Sequence, residues 1–488
     1  MTFVFSCDGH VVEPADLFEK GLSPALLKKS VRTEKVDGML ISYAGDRVTM
    51  RRPLDSGPPR LGPDGEPFGR PDRRGNRELD WRKKDMMLDG VDAEILFPSI
   101  GLTVFMVEDP EAELATAQVY NDWHHELAKD ETGTFVRCGI VPVRNTDNAV
   151  AEIGRLAALG FTTAMIPSII DPLSGLPPYT SEYWDPVFDA AQRHNMVFSL
   201  HTGTGRYDVR SFRGPGGAVM NYGIQSCDGW TSIMALVAGG VLDRFPKVHV
   251  AVIEGGASWL APLAERMDEV YLAHEPFVRP KLSVMPSEVI RRQVHCQFQA
   301  DRACIMARSV TGTQALLWGA DYPHHEGTFP NSRAVLARLF DGIAISEAEK
   351  ADILGANAAR LFRLNRPEFA LAPCSVGTAD STGGIERGHR HGRRPASPIR
   401  QADRLDQADR RGPGEAGARA LAHRVAGDQR CRRPRPRPRC AGRSRRPRHR
   451  DAADLWPVAR TRAQPFGRPR QHRRRTRRPG GPLDDQPA

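Results

Sequence analysis

Short apolar segments alternate with longer amphipathic ones over the first 365 residues. The short segments are rich in Val, Ile, Leu and Phe, which favours β-strands, whereas the long ones repeat their apolar residues at helical spacing. This alternation is typical of βαβ units that form a parallel sheet. Eight strands are predicted, at residues 3–7, 94–97, 136–141, 163–166, 197–200, 248–253, 295–298 and 316–318.

Helices are predicted between these strands. Gly160 gives a C-terminal capping signal for one of them, and Ser346 with Glu349 forms a capping box that begins the last one. Eight strand–helix units predict an α/β protein with the fold of a (β/α)₈ TIM barrel. The other predicted helices span residues 111–129, 147–159, 181–194 and 258–272.

Residues 45–80 interrupt the alternation because they are rich in Gly, Pro and Arg. They predict a long loop inserted between the first two strands. In a barrel, such a loop lies over the face formed by the C-terminal ends of the strands, where it could act as a lid or contact the substrate. A surface excursion that touches no substrate is the alternative.

The composition changes after residue 364. Residues 373–488 hold 30 of the 69 basic residues, all of them arginines, and 11 of the 59 acidic ones, so their net charge is +19. Residues 1–372 carry the remaining 39 basic and 48 acidic residues, a net charge of −9. Residues 1–372 are predicted to form the barrel domain. Residues 373–488 contain two aromatic residues and show no apolar periodicity, so they are predicted to form a disordered basic tail. Two origins fit this composition: a nucleic-acid-binding tail, or a frameshift or read-through product of GC-rich DNA.

The barrel segment has the features of a cytoplasmic protein. Its five cysteines include no CxxC pair, which predicts buried thiols in a reducing compartment. No run approaches the roughly 18 apolar residues of a membrane span, and the N-terminus does not read as a signal peptide. We therefore expect a small-molecule substrate and no membrane partner.

Side chains that bind metals stand at the ends of three predicted strands. Asp8 and His10 follow the first strand, His201 the fifth and Asp321 the eighth. Because the C-terminal ends of barrel strands meet at one face, these side chains are expected to lie together. Two carboxylates and two neutral imidazoles suit one divalent cation. Taken singly, Asp8 and His10 would fit a strand-end turn and His201 a core histidine; their joint spacing favours a metal site.

The motifs resemble the amidohydrolase superfamily. They are DGHVVEP (8–14), SLHTG (199–203), FPKVHVAVIEGGASWLAPLAERMD (245–268), LWGADYPHHEGTFPNS (317–332) and NAARLF (357–362). Over residues 3–365 the chain is similar to the branch that contains the aminocarboxymuconate-semialdehyde, resorcylate and dihydroxybenzoate decarboxylases. The resemblance implies a metal-dependent hydrolase type of barrel, a homodimer and one divalent metal: zinc first, with manganese or magnesium as alternatives. It places the metal ligands on Asp8, His10, His201 and Asp321.

Glu254 departs from this resemblance. The decarboxylases of the branch have a histidine after the sixth strand, where it acts as an acid or base or holds a water molecule. A glutamate there can transfer protons if its surroundings raise its pKa. Alternatively, Glu254 caps the helix predicted at 258–272.

Three further residues are candidates for the site. His324 follows Asp321 closely, so it could orient that carboxylate or touch the substrate. Arg144 follows the third strand and Arg206 the fifth; either could hold a substrate carboxylate through paired hydrogen bonds. Ordinary surface arginines are the alternative for both.

The sequence thus predicts a metal-dependent carboxy-lyase (a decarboxylase) or hydrolase that acts on a small carboxylated or aromatic metabolite. Asp321, Glu254 and His324 are the predicted catalytic residues, and they serve either reaction. The branch favours decarboxylation, whereas Glu254 favours hydrolysis of an ester, lactone or amide, in which it or Asp321 would accept a proton from water. A nucleic-acid-binding protein that acts through its tail is a second alternative.

Overall fold

The computed structural model of the protein describes residues 2–55, 61, 65, 67, 73–208 and 212–369. The tail predicted at 373–488 lies outside the described residues. The strands, in chain order, are β1 (Phe5–Ser6), β2 (Val31–Val36), β3 (Met39–Ala44), β4 (Arg47–Pro53), β5 (Ala93–Leu96), β6 (Phe135–Ile140), β7 (Thr163–Met165), β8 (Val197–His201), β9 (Val250–Ile253), β10 (Val294–Phe298) and β11 (Leu316–Trp318).

Eight of these strands form the parallel barrel. β1 and then β5 to β11 pair in chain order. Hydrogen bonds from Cys7 N to Trp318 O and from Asp321 N to Asp8 O, both 2.9 Å long, join the last strand to the first. The predicted (β/α)₈ fold is confirmed, and every predicted strand overlaps one of the eight. Such strands are easy to predict because burial on both faces makes them continuous apolar runs.

Helices surround the barrel, and the predicted ones are present with ends shifted by a few residues. One long helix, α7, was not predicted, because its three glycines lower its helix propensity. The helices are α1 (Leu17–Gly21), α2 (Pro24–Lys29), α3 (Leu79–Asp89), α4 (Pro110–Ala128), α5 (Thr146–Ala158), α6 (Asp185–His194), α7 (Gly217–Ala238), α8 (Val241–Arg244), α9 (Leu260–Ala273), α10 (Pro286–Gln293), α11 (Arg302–Met306), α12 (Arg308–Thr311), α13 (Ser332–Leu339), α14 (Glu347–Ala351) and α15 (Asn357–Leu361).

A separate three-stranded antiparallel sheet of β2, β3 and β4 follows the first barrel strand. The prediction of a loop over 45–80 is therefore wrong at its start, because residues 47–53 form β4. Asp37 and Gly38 connect β2 to β3, and both have positive φ angles, of 48° and 72°. A two-residue Asp-Gly turn of this kind matches the twist of a hairpin, so the signal was present in the sequence. Most of residues 56–72 lie outside the described part of the chain.

None of the helices in the described part of the chain combines the length and the apolar character that crossing a bilayer requires.

Removing residues 373–488 is expected to leave the melting temperature and the turnover of the enzyme nearly unchanged. The reason is compositional: the tail has no apolar pattern that could pack against the barrel. Thermal unfolding and steady-state kinetics of the full chain and of residues 1–372 check this expectation. A barrel that unfolds or loses its metal on truncation would place the domain boundary elsewhere.

Candidate metal centre

The structure brings the four predicted ligands together at the C-terminal ends of the barrel strands. Asp8, His10, His201 and Asp321 are all fully buried. His10 Nε2 lies 3.6 Å from Asp8 Oδ1 and 3.6 Å from Asp321 Oδ1. His201 Nε2 lies 3.5 Å from Asp8 Oδ1. Ligands that each stand about 2.0–2.2 Å from one tetrahedral cation are separated by about these distances.

Backbone carbonyls fix the orientation of both imidazoles. His10 Nδ1 is 2.7 Å from Pro98 O, and His201 Nδ1 is 2.9 Å from Thr202 O. A carbonyl oxygen only accepts hydrogen bonds, so Nδ1 carries the proton in each ring and Nε2 keeps its lone pair. Such support of the distal nitrogen is the usual second contact of a metal-binding histidine.

The carboxylate of Asp8 gives the strongest indication that a cation belongs here. Neither of its oxygens accepts a hydrogen bond from the described residues, although the side chain is fully buried. A buried carboxylate without hydrogen-bond donors is costly, and it faces the lone pair of His201. These residues fit a divalent cation, whose charge two carboxylates would balance.

Protons and a metal ion compete for this cluster. Burial raises the pKa of Asp8, while His201 acts in the opposite direction. Burial alone would lower the pKa of His201, but the neighbouring carboxylates of Asp8 and Glu254 outweigh it, so that pKa is raised. The cluster attracts positive charge, and metal binding should release protons.

A buried ion pair supports the segment that carries Asp8 and His10. Arg82 Nε lies 2.7 Å from Glu94 Oε2, and Arg82 Nη1 donates to His10 O at 2.7 Å. Both charged side chains are almost completely buried. The guanidinium also lies 3.9 Å from the centre of the Tyr322 ring. Arg82 thereby connects the first strand end to the last, and it holds the backbone between the ligands.

Gly9 separates the two ligands of the first strand because nothing larger fits there. A Cβ atom at Gly9 would lie 2.0 Å from Glu94 Oε1 and 2.7 Å from Arg82 Nη2. The Gly9→Ala variant must displace the ion pair, so we expect its free energy of unfolding to fall by about 1–3 kcal/mol, with weaker metal binding. Urea unfolding and metal analysis measure the two effects.

Gly223→Ala serves as the matched control for Gly9→Ala. Gly223 lies inside α7, and a Cβ atom there meets nothing within 4 Å. Alanine should stabilise this helix by about 0.5–1 kcal/mol. If both variants had the wild-type stability, the packing around Gly9 would not constrain the site.

Two residues of the site adopt a backbone conformation that non-glycine residues rarely take. Asp321 has a φ of 54° and Glu254 a φ of 58°, and each follows a barrel strand. Such conformations cost roughly 1–3 kcal/mol and concentrate at active sites. Gln297 Oε1 accepts a 2.7 Å hydrogen bond from Glu254 N, which supports the strained backbone.

The predicted catalytic side chains lie beside the ligand cluster. Glu254 Oε2 is 3.7 Å from His201 Nδ1. His324 Nδ1 is 2.7 Å from Asp321 Oδ1, so His324 is placed to orient that carboxylate. Ligand atoms of Glu254, His324 and His10 lie within 4.8 Å of one another. Glu326, which the sequence did not single out, is equally close to Glu254 and His324.

Glu254 does not cap the helix that follows it. The turn that precedes α9 is held instead by Asp301, whose Oδ2 accepts hydrogen bonds from Ala257 N at 3.1 Å and from Ser258 N at 2.7 Å. The Ser258 hydroxyl also donates to Asp301. The carboxylate of Glu254 is therefore not needed for the start of α9.

The two arginines predicted to bind substrate have protein partners. Arg144 donates to Val107 O at 2.5 Å, to Ser174 O at 2.7 Å and to the Tyr207 hydroxyl at 2.7 Å. These contacts use all three of its guanidinium nitrogens, so they indicate a structural role that joins three loops rather than a substrate clamp.

Arg206 forms a paired ion contact with the buried carboxylate of Asp228, in which Nε donates to Oδ2 at 2.9 Å. A substrate carboxylate would have to displace Asp228 from the same pair of guanidinium hydrogen bonds. The contacts of Arg206 therefore also speak against the predicted role.

Sequence reasoning missed the supporting residues. Glu94 had a usable signal, because a charged residue within a strand buried on both faces must have a partner. Arg82 had none, since its segment DWRKKDMMLDG reads as an exposed charged helix.

The comparison with protein families was decisive. The family described as amidohydrolase matches residues 71–364, more than half of the chain. The chain belongs to the amidohydrolase family. The match begins after β1 and the antiparallel sheet, so it does not include Asp8 and His10. The barrel itself places these two residues beside His201 and Asp321 of the matched region.

Individual relatives of this amidohydrolase are distant. A Dictyostelium discoideum protein named 2-amino-3-carboxymuconate-6-semialdehyde decarboxylase is 22% identical over 300 residues, which are 59% of this chain and 78% of that protein. A solved amidohydrolase from Mycobacterium avium subsp. paratuberculosis K-10 is 20% identical with a TM-score of 0.63, over 74% of this chain and 99% of that one.

A dihydroxybenzoic acid decarboxylase from Polaromonas sp. JS666 was solved with bound manganese and the inhibitor 2-nitroresorcinol. It is 18% identical with a TM-score of 0.51, over 76% of this chain and 99% of that one. The likeness to the solved structures is one of fold.

Proposed function

We propose that this amidohydrolase is a metal-dependent decarboxylase of a small carboxylated aromatic acid. In this proposal Asp8, His10, His201 and Asp321 hold one divalent cation. The observation that carries the proposal is a series of buried donors: 3.6 Å separate Asp321 from His10, 3.6 Å separate His10 from Asp8, and 3.5 Å separate Asp8 from His201. Among the described residues, none donates a hydrogen bond to the carboxylate oxygens of Asp8. The names of the Dictyostelium and Polaromonas relatives support the choice of decarboxylation.

The metal is proposed to be zinc, because two imidazoles and two carboxylates suit it. Manganese is the alternative that the Polaromonas structure favours. When bound, the cation would draw electron density from substrate oxygens and orient the acid group. Magnesium is the poorest fit, since it prefers oxygen donors and retains water.

The protein residues supply the proton that decarboxylation requires. The ring carbon that bears the carboxylate takes up a proton, the bond to the carboxyl carbon breaks, its electron pair returns to the ring, and CO₂ leaves. Glu254 and His324 flank the ligand cluster and are the candidate donors. Asp321, at 2.7 Å from His324, would stabilise the protonated imidazole as well as bind the metal.

Hydrolysis of an ester, lactone or amide is the second candidate. The observation that favours it is Glu254 itself, a carboxylate that lies 3.7 Å from His201 Nδ1 at the edge of the ligand cluster. A carboxylate in that position could accept a proton from an attacking water molecule.

One experiment separates these functions. The purified full chain, with its metal content measured, is offered a panel of hydroxylated and methoxylated benzoic acids and a matched panel of aryl esters and lactones. Release of CO₂ with loss of one carboxyl group supports the decarboxylase. Release of acid without CO₂ would replace it by the hydrolase, and a fully metal-loaded enzyme inert to both panels would contradict the substrate class.

A further inference from the structure

A basic cavity lies at the end of the barrel opposite to the metal centre. Its volume is about 690 Å³, and the beginnings of β8, β9 and β10 line it together with α15. We name it the basal cavity. Its charged lining residues are Lys247, Arg292, Arg360 and Arg363, with His249 and His295; no Asp or Glu lines it within the described part of the chain.

A second recess of about 370 Å³ continues this surface. It shares Arg363 with the basal cavity and adds His125, Lys129 and Arg137, again without an acidic lining residue among those described. This accumulation of cations contrasts with the net charge of −9 over residues 1–372. The two recesses together group six lysines and arginines without a lining carboxylate among the described residues.

Most of these cations have no carboxylate partner. Among the described residues, Lys247, Arg292 and Arg363 form no ion pair, whereas Arg360 pairs with Asp352 at 2.7 Å. Arg292 contacts the neutral Gln293 Oε1 at 2.8 Å. Arg363 reaches Thr162 O at 3.5 Å. Lys247, Arg292 and Arg363 are all exposed, so each can reach a ligand from the solvent side of the cavity.

The cavity also holds a pair of neighbouring imidazoles. His249 Nδ1 lies 3.0 Å from His295 Nε2, and His295 Nδ1 lies 2.9 Å from Gln314 O. Burial lowers the pKa of His249, and the charges of Arg292 and Arg363 lower it further. Both arginines line the same cavity as His249.

We propose that the basal cavity binds a small anion that carries phosphate groups. Arginine and lysine provide the hydrogen-bond donors that phosphate oxygens accept, and unpaired cations in one recess repel one another until an anion neutralises them. The volume lies within the range of about 300–1,000 Å³ that is usual for small-molecule sites. The segment 373–488, with a net charge of +19, does not have the charge that complements this cavity.

Isothermal titration of the full chain with inorganic pyrophosphate tests this proposal. The double variant Arg292→Gln/Arg363→Asn removes two of the positive charges that line the basal cavity. Asparagine is chosen because Arg363 has a φ of 51°, which asparagine tolerates. We expect the Kd to rise by at least about tenfold in the double variant.

The matched control is Arg266→Gln, which removes an exposed arginine of α9 that does not line the cavity. Its Kd should stay within about twofold of wild type. The metal centre and the tail are the same in all variants, so any pyrophosphate that they bind contributes equally to each titration. A difference in Kd between the variants therefore measures binding to the basal cavity.

Equal affinities in the double variant and the control would overturn the proposal. If the double variant failed to fold, Lys247→Gln would replace it, because Lys247 is exposed and its loss disturbs no described ion pair. A single-stranded oligonucleotide is titrated in parallel. If the double variant lost oligonucleotide binding but kept pyrophosphate binding, the surface would belong to a nucleic acid and the proposal would be wrong.

Discussion

Replacing Asp321 or His201 by alanine is expected to abolish metal binding and turnover together. Each residue supplies one of the four buried donors, so its loss leaves the cation one ligand short. Metal content, measured by mass spectrometry of the purified chain, should fall from about one ion per chain to near zero. Activity on any substrate found in the two panels should fall to background.

His124→Ala is the matched control for this experiment. His124 is as deeply buried as His201, but it lies on α4 and hydrogen-bonds with Tyr120 and with Cys138 O. Its removal should cost stability and leave the metal content unchanged. Stoichiometric metal in the Asp321→Ala variant would show that the ligands are wrongly assigned.

The metal-free stability of these variants carries independent information. In wild type, burial of Asp8 without hydrogen-bond donors is unfavourable until a cation is bound. Removal of Asp8 in a further variant should therefore not lower the melting temperature of the metal-free protein. Residues kept for function often cost stability in this way.

The barrel could be predicted because its physical basis is local. Each of its strands is an apolar run, and the ligands stand where the runs end, as Asp8 does after Cys7 and Asp321 after Ala320. The small antiparallel sheet was missed because its strands are half-exposed and polar. Within it, the Asp37–Gly38 turn was an unused signal.

The supporting contacts of the site could not be predicted, because they depend on three-dimensional distance alone. Arg82 and Glu94 are separated by 12 residues along the chain, and only the closed barrel places the guanidinium against His10 O. In the same way, nothing in the sequence shows that Tyr207 and Ser174 approach Arg144.

Glu254 and Asp301 illustrate the same limit and lead to the second large prediction. Both acidic residues follow barrel strands, but only Glu254 precedes α9 in the chain, so only Glu254 could be considered as its cap on sequence grounds. The structure divides the roles, since Asp301 accepts the amide hydrogen bonds and Glu254 lies beside His201. The two carboxylates can therefore be compared by mutagenesis: Asp301 is expected to affect folding, and Glu254 is expected to affect the reaction.

Glu254→Gln is expected to lower kcat by about 10²–10⁴-fold, the usual loss when a positioned proton-transfer group is removed. Glutamine keeps the shape of the side chain and the left-handed backbone supported by Gln297, so the free energy of unfolding should change by no more than about 1 kcal/mol. Metal content should stay normal. Steady-state kinetics, urea unfolding and metal analysis of the one variant measure all three quantities.

Asp301→Ala should show the opposite pattern. Loss of the hydrogen bonds that hold the turn before α9 should lower the free energy of unfolding by about 1–3 kcal/mol and leave kcat close to wild type. Comparing the two variants separates a catalytic role from a structural one. If Glu254 had only a structural role, Glu254→Gln would lower the free energy of unfolding and leave kcat unchanged. Near-wild-type turnover in Glu254→Gln would assign proton transfer to His324, held by Asp321 at 2.7 Å.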